Sequence, residues 1–134
     1  MIVLDASAAV EYLTEPTAIG EWVRRTIEHE EEIAAPHVID LEVVSALRKK
    51  LLRKAITRRA ADNAVVDFQD LAVMRYPVTT LLPRVWELRA SLSPYDAAYV
   101  VLAEALESKL VTTDARLARS RGHRVPIVVF GGPT

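Results

Sequence analysis

Hydrophobic positions change their period repeatedly along this chain, and each change marks an element. Ile2-Val3-Leu4 is a continuous branched run, the pattern of a short strand buried on both faces. It ends at Asp5, after which Ala8, Ala9, Val10, Tyr12 and Leu13 read as a helix. Thr14-Glu15-Pro16 breaks that helix. Thr17 is placed to cap the next one, with Ile19, Trp22, Val23 and Ile27 on its inner face. Ile33-Ala34-Ala35-Pro36 reads as a second strand closed by proline. Residues 38–54 then predict a long helix with Ile39, Val43, Leu47 and Leu51 as its apolar stripe. Thr57 is placed to cap a further helix that turns Ala61, Ala64, Val65, Phe68, Leu71 and Ala72 inward. Val78-Thr79 reads as a third strand, and residues 82–92 as a helix burying Val85, Leu88 and Leu92. Ser93-Pro94 opens a helix over residues 95–106 that is apolar on nearly every side, and such a helix is buried. Residues 110–113 form a strand ending at Asp114. A short helix follows, ended by Gly122; residues 127–130 are the last strand and 131–134 a tail.

Short strands alternating with helices predict an α/β fold, a three-layer sandwich with a parallel sheet between helices and right-handed crossovers. No repeat, low-complexity tract or long linker divides the 134 residues, so one domain, 1–134, is expected. Net charge is -1, so global charge does not advertise a nucleic-acid binder, and any such binding must rest on a local patch. There is no cysteine, which removes disulfides and thiolate metal sites. No apolar run reaches membrane-spanning length and no signal peptide is visible. A soluble, cytoplasmic protein is expected.

The chemistry lies in four carboxylates. Asp5 and Asp114 each end a strand and precede a helix, where a plain helix cap is a complete explanation. Glu42 stands in the first turns of the long helix, with Asp40 beside it as the better capping acid. Asp96 shares a helix face with Val100 and Ala103, yet Ser93-Pro94-Tyr95-Asp96 also reads as a capping box. Singly, each has a structural reading. Jointly they differ, because strand C-termini and the helices that follow lie on one edge of a parallel sheet. Two carboxylates ~4 Å apart repel by about 4 kcal/mol at an effective dielectric of 20. Such a cluster raises its own pKa values or takes a cation. All-oxygen ligands suit Mg²⁺ or Mn²⁺.

Val3-Leu4-Asp5-Ala6-Ser7-Ala8, Glu42 within Asp40-Leu41-Glu42-Val43, Asp96 within Ser93-Pro94-Tyr95-Asp96-Ala97-Ala98-Tyr99, and Asp114 within Val111-Thr112-Thr113-Asp114 resemble the PIN-domain nucleases. Among these the VapC-type toxins of toxin–antitoxin pairs are most similar, over essentially the whole chain. The resemblance implies a parallel sheet of about five strands with the first strand central. It implies that Asp5, Glu42, Asp96 and Asp114 bind Mg²⁺ or Mn²⁺ and support RNA hydrolysis, leaving a 5′-phosphate and a 3′-hydroxyl. Thr112 would hydrogen-bond Asp5 or a water, and Ser7 would line the pocket. Some members carry a further acid after the last one. Here the chain reads Ala115-Arg116, so a second ion would draw on the substrate phosphate. The resemblance also implies a VapB-type antitoxin as partner, RNA as substrate, a homodimer and no membrane association.

Basic residues crowd two stretches, Arg48 to Arg59 and Arg116 to Arg124. Solvated helix faces explain most of them; Arg116, one turn from Asp114, is the candidate for holding RNA phosphate. His29, His37 and His123 are too scattered for a ligand set. Two other readings stay open. A phosphatase of the haloacid-dehalogenase kind also begins with an aliphatic strand ending in Asp, but it needs a second Asp where Ser7 stands. A non-catalytic α/β interaction module would use the acids as caps.

Overall fold

The computed structural model describes residues 1–14 and 17–132. Glu15 and Pro16 of the first expected helix break, and Pro133 and Thr134 of the expected tail, lie outside the described residues. Strand β1 (Ile2–Leu4) leads into α1 (Ala6–Thr14) and α2 (Ala18–Glu28). Next come β2 (Ile33–Pro36), α3 (Ile39–Leu52), α4 (Arg58–Asp70) and β3 (Val73–Tyr76). A single 3₁₀ turn (Thr79–Leu81), α5 (Leu82–Glu87) and α6 (Pro94–Ala105) precede β4 (Lys109–Thr112), α7 (Ala115–Ala118) and β5 (Ile127–Val129).

The five strands form one parallel sheet in the order β3-β2-β1-β4-β5, so the first strand is central. Ile2, Val3 and Leu4 are fully buried, as a run without polar alternation requires. From β1 the chain steps outward to β2 and β3, then crosses back to β4 and β5. With right-handed crossovers α1–α4 therefore cover one face and α5–α7 the other. α1 packs on α2, α3 and α4, whereas α6 lies on β1, β2 and β4. Alanines at 8, 9, 34, 35, 97 and 103 are fully buried, which lets the helices approach the sheet closely. The strand order reverses between β1 and β4, and a crevice at that point is where α/β sheets bind ligands.

Several boundaries differ from the sequence expectation. The third strand is Val73–Tyr76, paired in register with β2, while Val78-Thr79 forms the turn that follows Pro77. α3 stops at Leu52; Lys54 takes a left-handed conformation (φ 58°), and Leu51, at the end of the expected stripe, is 36% exposed. In α4, Ala61, Ala64 and Phe68 are buried, but Val65 is surface-exposed and Ala72 lies outside the helix on the surface. α5 ends at Glu87 rather than at residue 92, and Leu88 to Leu92 continue as turns. α7 is one turn long and closes at Arg119, before the left-handed Gly122 (φ 93°). Asp40 does not cap α3. It takes the Arg75 guanidinium of β3 in a fork, with Nε at 2.9 and 3.0 Å and Nη2 at 2.8 Å. Thr17, Thr57 and Ser93 do cap their helices, each accepting a backbone N–H.

Candidate active site at the carboxyl edge of the sheet

Register brings the first pair of side chains together. Leu4 stands opposite Val111, and the Asp5 amide donates to the Val111 carbonyl, so the next residues outward are Asp5 and Thr112. Thr112 is fully buried, and its hydroxyl donates to Asp5 Oδ2 at 2.5 Å. The same hydroxyl accepts the Asp114 amide at 3.0 Å. Asp5 Oδ1 accepts the Ser7 hydroxyl at 2.7 Å and the Ala8 amide at 2.9 Å. Asp5 is therefore both a cap for α1 and a clamped carboxylate at the switch point. It is only 6% exposed, and burial raises its pKa from 3.8 to about 6. The three donors oppose that rise, and the charge of Asp96 adds to it.

The other acids come from both sides of the sheet. Glu42 stands in the first turn of α3, on one face; burial raises its pKa, and Asp96 raises it further. Its Oε1 is buried without a hydrogen-bond partner, and so is the Tyr99 hydroxyl. The two groups feel each other, since Tyr99 tempers the rise at Glu42, but they do not reach hydrogen-bond geometry. Asp96 enters from α6 on the opposite face. Its amide donates to the Ser93 cap at 3.2 Å, while its carboxylate Oδ2 lies 3.5 Å from Arg116 Nη2. Only half of a capping box is thus made. Asp114 caps α7 through Oδ1, which accepts the amides of Arg116 (2.9 Å) and Leu117 (3.4 Å). Its Oδ2 lies 3.3 Å from Arg116 Nη2. One guanidinium nitrogen therefore bridges Asp96 and Asp114.

The arrangement links the four predicted acids in one chain of interactions. Asp5 is coupled to Asp96, Asp96 to Glu42, and Asp96 to Asp114 through Arg116. Among the described residues, no three acids or histidines converge closely enough to hold one ion as the side chains stand. The donor set still fits a hard divalent cation. It offers only oxygens, Asp5 is held desolvated, and Glu42 presents a buried oxygen without a hydrogen-bond partner among the described residues. Ser7 donates its hydroxyl to Asp5 and accepts the Thr113 amide at 3.2 Å, which ties the Asp5 carboxylate to the end of β4. His123 is occupied by Ser120 and by the Val125 amide, and His29 by the Arg25 carbonyl, which leaves neither in the site.

Two residues at or near the site were not singled out by the sequence. Tyr99 lies three residues after Asp96, on the same helix face, but stands inside an apolar run that explains it as core. Arg75 looked like one more charge; only the pairing of β3 with β2 shows that it anchors the first turn of α3, where Glu42 sits.

A parallel sheet with buried carboxylates gathered at its switch point is the architecture of the PIN domain. The family model for the PIN domain matches residues 2–122, and the chain belongs to that family. Within it, the similarity runs to the VapC ribonucleases. "Ribonuclease VapC9" of Mycobacterium tuberculosis is 42% identical over 96% of this chain and 98% of its own length. "Ribonuclease VapC12" of the same organism is 42% identical over 95% of this chain and 97% of its own. Among solved structures, the sarcin-ricin loop cleaving toxin VapC20 of Mycobacterium tuberculosis superimposes with a TM-score of 0.69 at 16% identity, covering 88% of this chain and 93% of that one. PAE2754 of Pyrobaculum aerophilum gives 0.65 at 29% identity, over 94% and 81%.

Proposed function

We propose that this protein is the toxin of a toxin–antitoxin pair, a single-domain endoribonuclease that hydrolyses RNA phosphodiester bonds with Mg²⁺ or Mn²⁺ at Asp5, Glu42, Asp96 and Asp114. The observation that carries this reading is the state of the carboxylates: a desolvated Asp5 beside Asp96, and a Glu42 oxygen buried without a partner. Helix caps alone need neither feature. The ribonuclease names of VapC9 and VapC12, at 42% identity, support RNA as the substrate.

A divalent cation held by these acids supplies Lewis-acid stabilisation of the scissile phosphate and a more acidic attacking water. The chain's own residues do the positioning. Ser7, Thr112 and the Ala8 amide fix Asp5 in one orientation, so its carboxylate is preorganised. Arg116, 76% exposed at its side chain, is placed to meet phosphate. Tyr95, next to Asp96 in the chain, is 58% exposed; with so little aromatic surface beside the acids, recognition of RNA by shape and loop presentation is favoured over base stacking.

The antitoxin, of the VapB type, would cover the apolar residues that α3 turns outward beside Glu42, Leu41 (75% exposed) and Val44 (49%). Trp22 is half-buried against the core and packs edge-on to Phe130, with ring centroids 5.9 Å apart, so it is core rather than docking surface. A homodimer is part of the same reading, supported by exposed Leu82, Trp86 and Tyr95 on α5 and α6. Among the described residues no helix is long and apolar enough to cross a membrane, and the cytoplasm is the proposed compartment.

The test is cleavage of end-labelled structured RNAs by the purified, antitoxin-free protein in Mn²⁺, Mg²⁺ or EDTA, beside Asp5→Asn and Asp96→Asn. Cuts that need metal and vanish in both variants are expected. Cleavage that survives in EDTA or in the variants would overturn the reading.

A further inference from the structure

The cation now among the acids belongs to the protein. Arg116 Nη2 lies 3.5 Å from Asp96 Oδ2 and 3.3 Å from Asp114 Oδ2, and its own backbone amide is held by Asp114 Oδ1. Asp114 is thereby committed on both oxygens, to the helix cap and to the guanidinium. This accounts for acids that neighbour one another without converging on a single point. Yet the Arg116 side chain is 76% exposed, so nothing but the two carboxylates keeps it there. Exposed pairs of this kind are weak and exchange readily.

A place for the guanidinium to go lies beside it. A cleft of about 450 Å³ runs between α7 and the segment before α6, lined by Ser91, Ser93, Asp96, Arg116, Arg119 and Ser120. Arg119 forms no ion pair among the described residues, although it shares this wall with Arg116. Of the three serines, Ser93 caps α6 and Ser120 bonds the Leu117 carbonyl and His123, so two guanidinium groups and the Ser91 hydroxyl are what the hollow offers to a phosphate and its sugar. The hollow opens onto Asp96, next to the reacting centre. Its size falls within the range of sites that take a small molecule or a single nucleotide.

We propose that Arg116 is an exchangeable counter-cation. It neutralises Asp96 and Asp114 in the resting protein, yields them to the divalent ion, and turns with Arg119 into this cleft to hold a phosphate of the RNA nucleotide beside the scissile bond. The proposal rests on the metal-dependent ribonuclease reading and adds an order to it, since ion entry frees the residue that grips the substrate. Arg116 is a positioning residue toward the ion and a binding residue toward the RNA. It therefore affects the two ligands with opposite signs.

That opposition is the test. Mn²⁺ binding to the metal-stripped full chain is measured by titration calorimetry without RNA, for the wild type, Arg116→Gln, Arg116→Lys and Arg119→Gln. Binding of a fluorescent, hydrolysis-resistant structured RNA is measured in saturating Mn²⁺, where Arg116 has been released, across a salt series. Arg116→Gln is expected to bind Mn²⁺ about two- to fivefold more tightly, the inverse of a weak ion pair. It is expected to bind RNA more weakly, with a salt slope smaller by about one. Arg116→Lys should restore much of both effects. Arg119→Gln should lose RNA affinity with its Mn²⁺ affinity unchanged. Unchanged or weaker Mn²⁺ binding in Arg116→Gln, with normal binding in the wild type, overturns the exchange and leaves the nuclease reading intact. Mn²⁺ binding by neither protein overturns both. Unchanged RNA binding in Arg116→Gln and Arg119→Gln overturns the cleft.

Discussion

Helix α6 carries a carboxylate at each end, and the protein treats the two in opposite ways. Glu104, near the C-terminus, is answered in full. Arg84 donates to both of its oxygens at 2.9 Å, and the Arg124 amide adds a third bond at 3.1 Å. Arg84 holds its pKa below the usual value, with the Arg124 amide helping. The same guanidinium reaches Glu87 and the Gly122 carbonyl, so one node ties α5, α6 and the loop before β5. Asp96, at the N-terminus, has one exposed arginine at 3.5 Å and two other acids close by. A carboxylate that holds a fold together is given a fork and an amide. A carboxylate kept for a ligand is buried without a cation of its own, and burial raises the pKa of Asp5, despite its three donors, and of Glu42.

The widest separation between the two ends should appear in catalysis. Asp96→Asn is expected to lower RNA cleavage by on the order of 10³-fold, because a lost ion ligand removes several kcal/mol of transition-state stabilisation. Its fold should be untouched, since the Ser93 cap uses the backbone amide of residue 96. Single-turnover cleavage in Mn²⁺, with circular dichroism as the control, measures it.

Acid titration should separate the ends next. Asp5 has a folded-state pKa of about 6 against an unfolded value near 3.8. Between these values the native state binds more protons than the unfolded one, so stability falls as pH rises. The raised pKa of Glu42 acts in the same direction. Glu104 and Glu30, with lowered values, have their stabilising effect complete above the unfolded pKa and add no slope there. The metal-free protein should therefore lose on the order of 1–2 kcal/mol between roughly pH 5 and pH 7. Urea unfolding across that range in EDTA measures it. Asp5→Asn should flatten most of the slope, and Mn²⁺ at neutral pH should restore stability by binding only the folded state. A flat profile in the wild type would mean that Asp5 is better solvated than its 6% exposure implies.

Thr112 stands at the end built for a ligand and should register there. Thr112→Val removes the donor to Asp5 Oδ2 and the acceptor of the Asp114 amide, both at a fully buried position. The cost should be about 1–3 kcal/mol in metal-free unfolding at neutral pH. Because that hydroxyl lowers the Asp5 pKa, its loss should also steepen the pH slope.

How much of this contrast can be seen in the sequence depends on what fixes each part. β1 and α6 are legible because continuous apolar residues admit only burial. β3 is illegible because Val73-Met74-Arg75-Tyr76 is an edge strand with Met74 half exposed, and its identity comes from pairing with β2 rather than from its own pattern. The acids were legible as positions, since strand ends and helix starts must share one edge of a parallel sheet. Their cap roles and their joint grouping turn out to be compatible: Asp5 caps α1 and faces the switch point at once. Partners contributed by other elements were illegible. Asp40 looked like a cap until Arg75 met it, and the Arg116 bridge depends on a helix of only four residues. The Arg84 node depends on side chains 20 positions apart in sequence.

That node supplies the smallest effect and the cleanest control. Glu104→Gln keeps the shape of the side chain and removes its charge, so Arg84 retains Glu87 and the Gly122 carbonyl as partners. The side chains of Arg84 and Glu104 are 31% and 16% exposed, so solvent already screens part of their attraction. A loss of about 1 kcal/mol is expected in urea unfolding. RNA cleavage at a temperature well below the transition should match the wild type, because Glu104 sits at the far end of α6 from Asp96. Neutralising one acid on this helix would then lower stability and spare cleavage, and neutralising the other would do the reverse. If Glu104→Gln also lowers cleavage, the tie from α6 to α5 and the β5 loop reaches the reacting acids, and the two ends are one mechanical unit.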